Sequence, residues 1–360
     1  MKLQNLKHQN ELSLHYTHTM KEQPNIFGQT VPQLQETLIN HSLPNYTAGQ
    51  ICDWMYRKCE SDFMNMSNIS LKDRVILHDS FAIIPSLPES SSVSADGTIK
   101  YLFPVSGDNF IETVFIPDKE RSTVCISTQS GCTLGCSFCQ TGKSGAGPDL
   151  SPGEILSQIL YLPEYEKLTN IVIMGMGEPL LNWKNVQIAI ELITSSKYLG
   201  MSKKRITLST VGIIPALKEF LQVFPCELAI SMHSPFHEER KSLMPVENKY
   251  PLVEVIQLIR RYTAGSSRVV SFEYLVFKDM NHSDRHVSEI ADLLQGIPCK
   301  INLLNFHPVD DCELQSPSRE IMEEFQNKLK MKGLSVTIRK SRGKDIKAAC
   351  GMLSRTKKFS

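Results

Sequence analysis

From Ser122 onward the chain alternates two periodicities that cannot share one element, and this constrains the fold more than any other feature. Short apolar, β-branched runs, "STVCIST", "NIVIMG", "RITLST", "ELAISM", "VVSFEYLVF" and "KINLLNF", with a last one at "SVTIR", are separated by stretches of helical spacing. Strands joined through helices lie parallel, because a parallel neighbour needs a long crossover and that crossover is right-handed. Six or more such units in series predict an α/β fold built on a full or partial (β/α) barrel. Chemistry then gathers at the C-terminal ends of the strands. One helix start is fully specified: in "SPGEILSQIL", Ser151, Pro152 and Glu154 supply a cap, a first-turn proline and the partner of a capping box.

The chain before this run reads differently. Residues 1–25 are polar and irregular, a tail. Residues 26–95 predict a small helical domain. "TVPQLQETLINH" opens with Thr30 as cap and Pro32 in the first turn, "AGQICDWMYRK" continues the pattern, and "SLKDRVILHDSF" begins with Ser70 and Asp73 spaced as a capping box. "SLPESSSVSADG" is the exit loop. Over residues 96–121, "TIKYLFPV" and "FIETVFIP" flank "SGDN", a β-hairpin. The barrel is expected over 122–340, and a basic segment over 341–360. The N-terminus lacks the apolar core of a signal peptide, and no run reaches the roughly 18–20 apolar residues of a membrane helix. A cytoplasmic protein without membrane association is expected. In that compartment its ten scattered cysteines are thiols, metal ligands or catalytic groups.

Directly after the first barrel strand comes "GCTLGCSFC", with Cys132, Cys136 and Cys139. A structural zinc site would need a fourth ligand and usually shows paired C-x-x-C knuckles, absent here. Iron–sulfur clusters also take thiolates, normally four. Three thiolates leave one iron of a 4Fe–4S cluster with an open position, which S-adenosylmethionine (SAM) can fill through its amino and carboxylate groups. Gly131 and Gly135 let the loop wrap such a cluster, and Phe138 can shield it from water.

The pattern C-x-x-x-C-x-aromatic-C resembles that of the radical SAM superfamily. Further blocks, "NIVIMGMGEPLLN", "RITLSTVGIIPAL", "LAISMHSP", "LMPVENKYP" and "IRKSRGKDIKAACGML", extend the resemblance to the radical SAM RNA adenosine C2-methyltransferases, from about residue 30 to the C-terminus. That family has a partial (β/α)6-type radical SAM barrel with a small N-terminal helical domain, and this is the fold the resemblance implies. A sister group methylates carbon 8 of adenine. "GEPLLN" and "RKSRGKDI" lean to carbon 2, while "HSPFHEERKSLMP" suits either.

The resemblance also implies roles. Cys350, in "KAACGML", matches the family's methyl carrier; read alone it could equally be a small buried hydrophobe. Cys125 matches the resolving cysteine, which closes a transient disulfide with the carrier when product leaves. In "STVCIST" it shares a face with Thr123 and Ser127. Glu112 matches the base that takes the ring proton. As the one charge in "FIETVFI" it could also protect a strand edge. SAM contacts fall on Gly177, Glu178, Ser209, Ser231, Met232 and His233, and on His307, where the family commonly has Asn. Two SAM molecules are spent per turnover, one for the methyl group and one for the radical. Flavodoxin or ferredoxin would supply the electron, and a monomer is expected. Cys52, Cys59, Cys226, Cys299 and Cys312 are left as structural thiols.

The net charge of +1 says nothing about partners, but its distribution does. Arg339, Lys340, Arg342, Lys344, Lys347, Arg355, Lys357 and Lys358 stand against the single acid Asp345, and Lys203, Lys204 and Arg205 form another patch. Neutralisation of ribosomal RNA, and transfer RNA, phosphates is the functional reading, and a solvated surface the alternative. A non-catalytic iron–sulfur or zinc RNA-binding protein is the rival of a different class. It would need neither Cys125 nor Cys350.

Overall fold

In a computed structural model of the chain, residues 23–310 and 312–354 are described. Arg355, Lys357 and Lys358 of the basic cluster, and nearly all of the N-terminal tail, lie outside the described residues. The chain divides into two compact units.

The first unit takes the residues up to Leu87, with Ser151–Glu166 and Ile188–Met201. Its helices Val31–Leu38 and Leu71–Ser80 stand where capping signals put them, and Thr47–Cys52 lies between them without a side-chain cap. The Thr30 amide donates to Gln33 Oε1 (2.8 Å), and Ser70 Oγ accepts from the Asp73 amide (3.2 Å). The stretch expected as one helix, "AGQICDWMYRK", instead widens after Cys52 into a π turn, Asp53–Arg57. That turn carries the fully buried Tyr56, whose hydroxyl donates to the Gln29 carbonyl (2.6 Å) and accepts from the Gly28 amide (3.2 Å). Helix Pro152–Leu160, with its Ser151/Glu154 capping box, belongs to this unit although its sequence sits inside the barrel run. Gly28 and Gly153 explain the attachment: a Cβ on Gly28, at φ 98°, would lie 2.3 Å from the Gly153 nitrogen, so the two backbones touch.

The second unit, Pro88–Leu150, Lys167–Gln187 and Ser202–Ser360, is organised by one ten-stranded sheet whose strands lie in chain order. They are β1 Ser90–Val93, β2 Ile99–Val105, β3 Asn109–Pro117, β4 Ser122–Cys125, β5 Asn170–Ile173, β6 Ile206–Thr210, β7 Glu227–Ser231, β8 Val270–Val276, β9 Cys299–Asn305 and β10 Val336–Ile338. β1 to β4 pair antiparallel and β4 to β10 parallel. The β2–β3 hairpin turns through Gly107 (φ 73°) and Asp108 (φ 55°). β1 lies in the predicted exit loop. Its "SSSV" looks like a loop because it is an edge strand that pairs on one side only and alternates half-buried with exposed residues. β8 has all seven residues buried, the signature of a parallel strand covered on both faces. The sheet is a barrel wall that does not close, since β1 and β10 each have one neighbour.

Candidate active site

The C-terminal ends of the parallel strands and the segment after β10 enclose a cavity of about 520 Å³. Cys132, Cys136 and Cys139 line one part of it, and Cys125, at the end of β4, and Cys350 also open on it. Gly177, Glu178, Ser209, Ser231, His233 and His307 complete the predicted set that reaches the cavity. Met232 and Glu112 do not line it. Strand alternation explains the first: Ser231 and His233 turn inward, so the Met232 side chain turns away and is fully buried.

The cysteine loop is locked by its own backbone. A Cβ on Gly131 would lie 2.4 Å from the Gly145 carbonyl oxygen, and one on Gly147 would lie 2.5 Å from the Gly131 nitrogen. Two hydrogen bonds close this crossing, Cys132 N to Gly145 O (2.9 Å) and Ser130 N to Pro148 O (3.0 Å). Burial pushes the Cys132 thiol up to about 11 and the Cys136 thiol up as well, and the loop's thiols raise one another. A cationic cluster would reverse that, since coordination deprotonates a thiol. Among the described residues no three His, Cys, Asp or Glu side chains converge on one ion's position. Three thiols on one loop are the donors an iron–sulfur cluster takes, so the donor set fits a three-thiolate cluster. Phe138 packs its ring edge-on against His233, centroids 4.9 Å apart.

The next strand ends are tied together by Glu178. Its carboxylate accepts from Thr210 Oγ1 (2.5 Å), the Leu180 amide (3.1 Å) and the Val211 amide (3.0 Å). Burial nevertheless raises it to about 7. Since its oxygens are occupied, this stretch offers a ligand mainly backbone groups. Gly177, at φ 94°, admits no side chain: a Cβ would lie 2.5 Å from Gln129 Cβ. His233 holds an unusual φ of 57°. Its Nδ1 accepts from the Leu275 amide (3.0 Å), which leaves the proton of the neutral ring on Nε2. Burial, helped by the Arg240 charge, lowers its pKa to about 3, so the ring stays neutral. His307 bonds Ser341 Oγ through Nε2 (2.7 Å), while its buried Nδ1 has no partner among the described residues. An unpaired buried nitrogen beside a cavity is a place for a ligand's hydrogen bond.

All ten cysteines are free thiols, so the expected disulfide is not a feature of the resting protein. Burial raises the Cys125 thiol, and Cys350 adds to the effect. Cys350 is exposed, and its free surface opens into the cavity; dense surroundings and Glu273 raise its thiol, with Arg339 acting against them. Glu112 is buried beside the cavity. Lys100 Nζ lies 2.8 Å from one of its oxygens, and the Ser354 amide donates to the other (2.8 Å). Burial raises this carboxyl and the Lys100 charge opposes the rise.

Two residues that the sequence reading passed over hold the site together. Glu273 lies on the cavity face of β8, in a row of paired residues, Ser231, Glu273, Asn302 and Thr337, that crosses β7 to β10. Asn302 donates to Glu273 Oε1 (2.7 Å) and Thr337 to Asn302 (2.7 Å). The signal was present as the one charge in "VVSFEYLVF". Arg240 is fully buried, donates to the Val211 (2.9 Å), Ser231 (3.0 Å) and Met232 (3.1 Å) carbonyls, and pairs with Glu247. It braces the ends of β6 and β7. Among the basic residues, Arg121, Arg339, Lys340 and Arg342 line the cavity. Lys203, Lys204 and Arg205 are exposed at the start of β6, the end opposite Ser209 and Thr210. No helix among the described residues is long and apolar enough to cross a membrane.

Known proteins resemble this chain in sequence and in fold. Residues 126–294 match the family model for the radical SAM superfamily, and residues 24–83 that for a ribosomal RNA large subunit methyltransferase N-terminal domain. A protein of Parabacteroides distasonis, named "Probable dual-specificity RNA methyltransferase RlmN", is 45% identical over 94% of this chain and 98% of its own. The dual-specificity RNA methyltransferase RlmN of Pseudomonas putida is 37% identical over 91% of this chain and 89% of its own. The crystal structure of a radical SAM methyltransferase from Sphaerobacter thermophilus superposes with a TM-score of 0.85 at 36% identity, covering 92% of this chain and 99% of that one.

Proposed function

The chain belongs to the RlmN family of radical SAM RNA methyltransferases, and from that premise we propose that it methylates carbon 2 of an adenosine in 23S ribosomal RNA, and in transfer RNA, through an S-methylcysteine on Cys350. One observation carries the proposal: two thiols outside the cluster loop, Cys125 and Cys350, open on the cavity that the loop's three thiols also line. A protein that only binds RNA has no use for such a pair.

Cys132, Cys136 and Cys139 would hold the cluster, and Gly177, Glu178, Ser209, Ser231, His233 and His307 would hold SAM around it, with Met232 contributing backbone alone. When bound, the cluster and SAM would supply a carbon-centred radical, take back the one electron that its addition leaves on the ring and, from a second SAM, supply the methyl group. Cys350 accepts that methyl as a thiolate and then keeps the carbon bonded to its sulfur while the carbon joins the ring. Glu112 takes the proton that carbon 2 must lose. Cys125 attacks the Cys350 sulfur, so a disulfide forms, the carbon–sulfur bond breaks and the carbon leaves with the pair of electrons that a proton then meets. Reduction of the disulfide resets the pair. Arg121, Lys340 and Arg342 would take phosphates at the cavity edge, and the target base must be unpaired or flipped to enter. A flavodoxin- or ferredoxin-type donor, a monomeric state and a cytoplasmic location complete the proposal.

The test is a denaturing gel after incubation with SAM, reductant and RNA. Cys125→Ala should assemble its cluster, methylate Cys350 and stall as a protein–RNA adduct, whereas Cys350→Ala should form none. Multiple turnover by Cys125→Ala would overturn the two-thiol mechanism. Mass analysis of the released nucleoside separates 2-methyl from 8-methyl product.

A further inference from the structure

Segment 343–354 carries Cys350 into the cavity, and it is fastened to its surroundings at three places. Its start rests on the β1–β2 turn, where the Asp345 carboxylate accepts from Ser94 Oγ (2.5 Å) and the Ala95 amide (3.0 Å), and Asp96 accepts from the Gly343 amide (3.0 Å). Near its end, the Gly351 carbonyl accepts from the Gln140 amide (2.7 Å) and the Leu353 carbonyl from Thr141 Oγ1 (2.8 Å). The third fastening is the buried pair on the hairpin. Lys100 and Glu112 are 8% and 4% exposed, their charges 2.8 Å apart. Both reach the same segment, Lys100 Nζ toward the Lys347 carbonyl (3.5 Å) and Glu112 through the Ser354 amide (2.8 Å).

Register explains why this pair sits beside the two thiols. Lys100 pairs with Val114 and Val114 with Cys125, so the three share one face of the sheet, and Glu112 lies on that face two residues along β3. Both oxygens of Glu112 are engaged while the segment is docked, and neither is open to a substrate.

We propose that the Lys100–Glu112 ion pair is the clasp that docks the carrier segment, and that Lys100 is a positioning residue which, through that clasp, seats Cys350 in the cavity and keeps Glu112 engaged until the segment lets go. It rests on the reading of Cys350 as carrier and Glu112 as base. The direction follows from the pair's burial. Removing one partner strands the other charge in a poor medium. Without Lys100 the Glu112 carboxyl loses the charge that opposes its rise, takes up a proton, and becomes a weaker acceptor for the Ser354 amide. Lys347, at φ 52°, and Gly343 and Gly351, at φ 62° and 81°, give the segment bends at which it could swing.

The clasp is read without any methyl transfer. Amide hydrogen exchange over 343–354 and maleimide alkylation of Cys350 are compared in the cluster-loaded protein without SAM. Lys100→Met should raise both rates by about tenfold or more, corresponding to about 1.4 kcal/mol of lost docking, and Lys100→Arg should restore slow exchange. Glu112→Gln, nearly the same shape, should give a smaller rise in the same residues, and it keeps the test standing if Lys100→Met fails to fold. In the docked protein the protection factor at Ser354, which removes the intrinsic pH dependence of exchange, should also drop as pH falls and Glu112 protonates; Lys100 is the other titratable group in contact with that carboxylate. Unchanged exchange and alkylation in Lys100→Met or Glu112→Gln would overturn the clasp. Full methylation by Glu112→Gln would instead count against the base role of Glu112, whether or not the segment stays docked.

Discussion

Two walls of one cavity carry the thiols, and they are built by opposite means. The cysteine loop crosses itself backbone to backbone at Gly131, Gly145 and Gly147, where nothing can give by a rotamer change. The carrier segment hangs mainly on side chains, Asp345, Asp96, Thr141 and the Lys100–Glu112 pair, with one backbone bond from Gln140 to Gly351. A wall that holds a cluster must keep three sulfurs at fixed separations, whereas a wall that delivers a methyl group and then releases product must be able to let go.

The largest effect tests the fixed wall. Cys136→Ala should lose iron and abolish SAM cleavage, because two thiolates are left where three are needed; a full iron complement with normal 5′-deoxyadenosine production would refute the cluster assignment. A smaller change to the same wall comes next. Gly147→Ala forces a methyl against the Gly131 nitrogen and the Ser130 carbonyl carbon, at 2.5 and 2.6 Å. Overpacking of this kind costs about 1–3 kcal/mol, and both the melting temperature and iron retention should fall. On the movable wall Gly351→Ala meets nothing closer than the Phe138 carbonyl at 3.3 Å but sits at φ 81°. It should cost about 1–2 kcal/mol from backbone conformation alone, leaving iron content intact. Equal iron loss in the two variants would erase the distinction between the walls.

Legibility in the sequence follows the same division. The parallel strands and the cysteine loop were readable because each is written locally, as a periodicity or a spacing. So was the inward face of β4, where Thr123 and Cys125 both line the cavity; Ser127, past the strand's end, is fully buried instead. The clasp was not readable, because Lys100 and Glu112 meet across a hairpin and neither position announces its partner. β1 was hidden by its serine content, and the π turn at Asp53–Arg57 by a pattern that reads as uninterrupted helix. Glu273 and Arg240 show another limit: the first is the one charge in an apolar run and the second one of four consecutive charges, and only the register of four strands or the ends of two reveals what each holds. Met232 is the converse case, a residue in a site motif whose side chain the strand's own alternation turns away.

The neutral ring at His233 gives the fixed wall a pH signature. In the folded protein its pKa lies at about 3, against 6.5 for the free side chain. Below about 6.5 the unfolded chain therefore binds a proton that the folded chain refuses. Stability from this group is complete above that pH and drains away as pH falls toward about 3, at most about 1.4 kcal/mol per pH unit. His233→Asn tolerates the left-handed backbone and removes the titration. Its melting temperature should be lower at neutral pH but should fall less between about pH 6.5 and pH 5. A slope equal to that of the unaltered protein would mean that the ring is not held neutral.

The smallest effect concerns the edge of the cavity, where the proposed function puts the RNA backbone. Lys340 is exposed, lines the cavity, and forms no ion pair among the described residues. Lys328, by contrast, lies on helix Arg319–Met331 and is held by Asp284 (2.8 Å) and Glu324 (2.7 Å). A lysine that neutralises a phosphate releases a counterion, and its removal flattens the dependence of log affinity on log salt by about 0.9 for a duplex and about 0.7 for a single strand. Lys340→Ala should lose that increment and only a fraction of the affinity at physiological salt. Lys328→Ala should lose neither, because its charge is already matched by two carboxylates. The measurement is RNA binding over a series of salt concentrations, and the comparison between the two variants is what decides it. If both slopes change alike, the basic residues act through the general field of the protein, and the cavity edge has no privileged place in holding the RNA backbone.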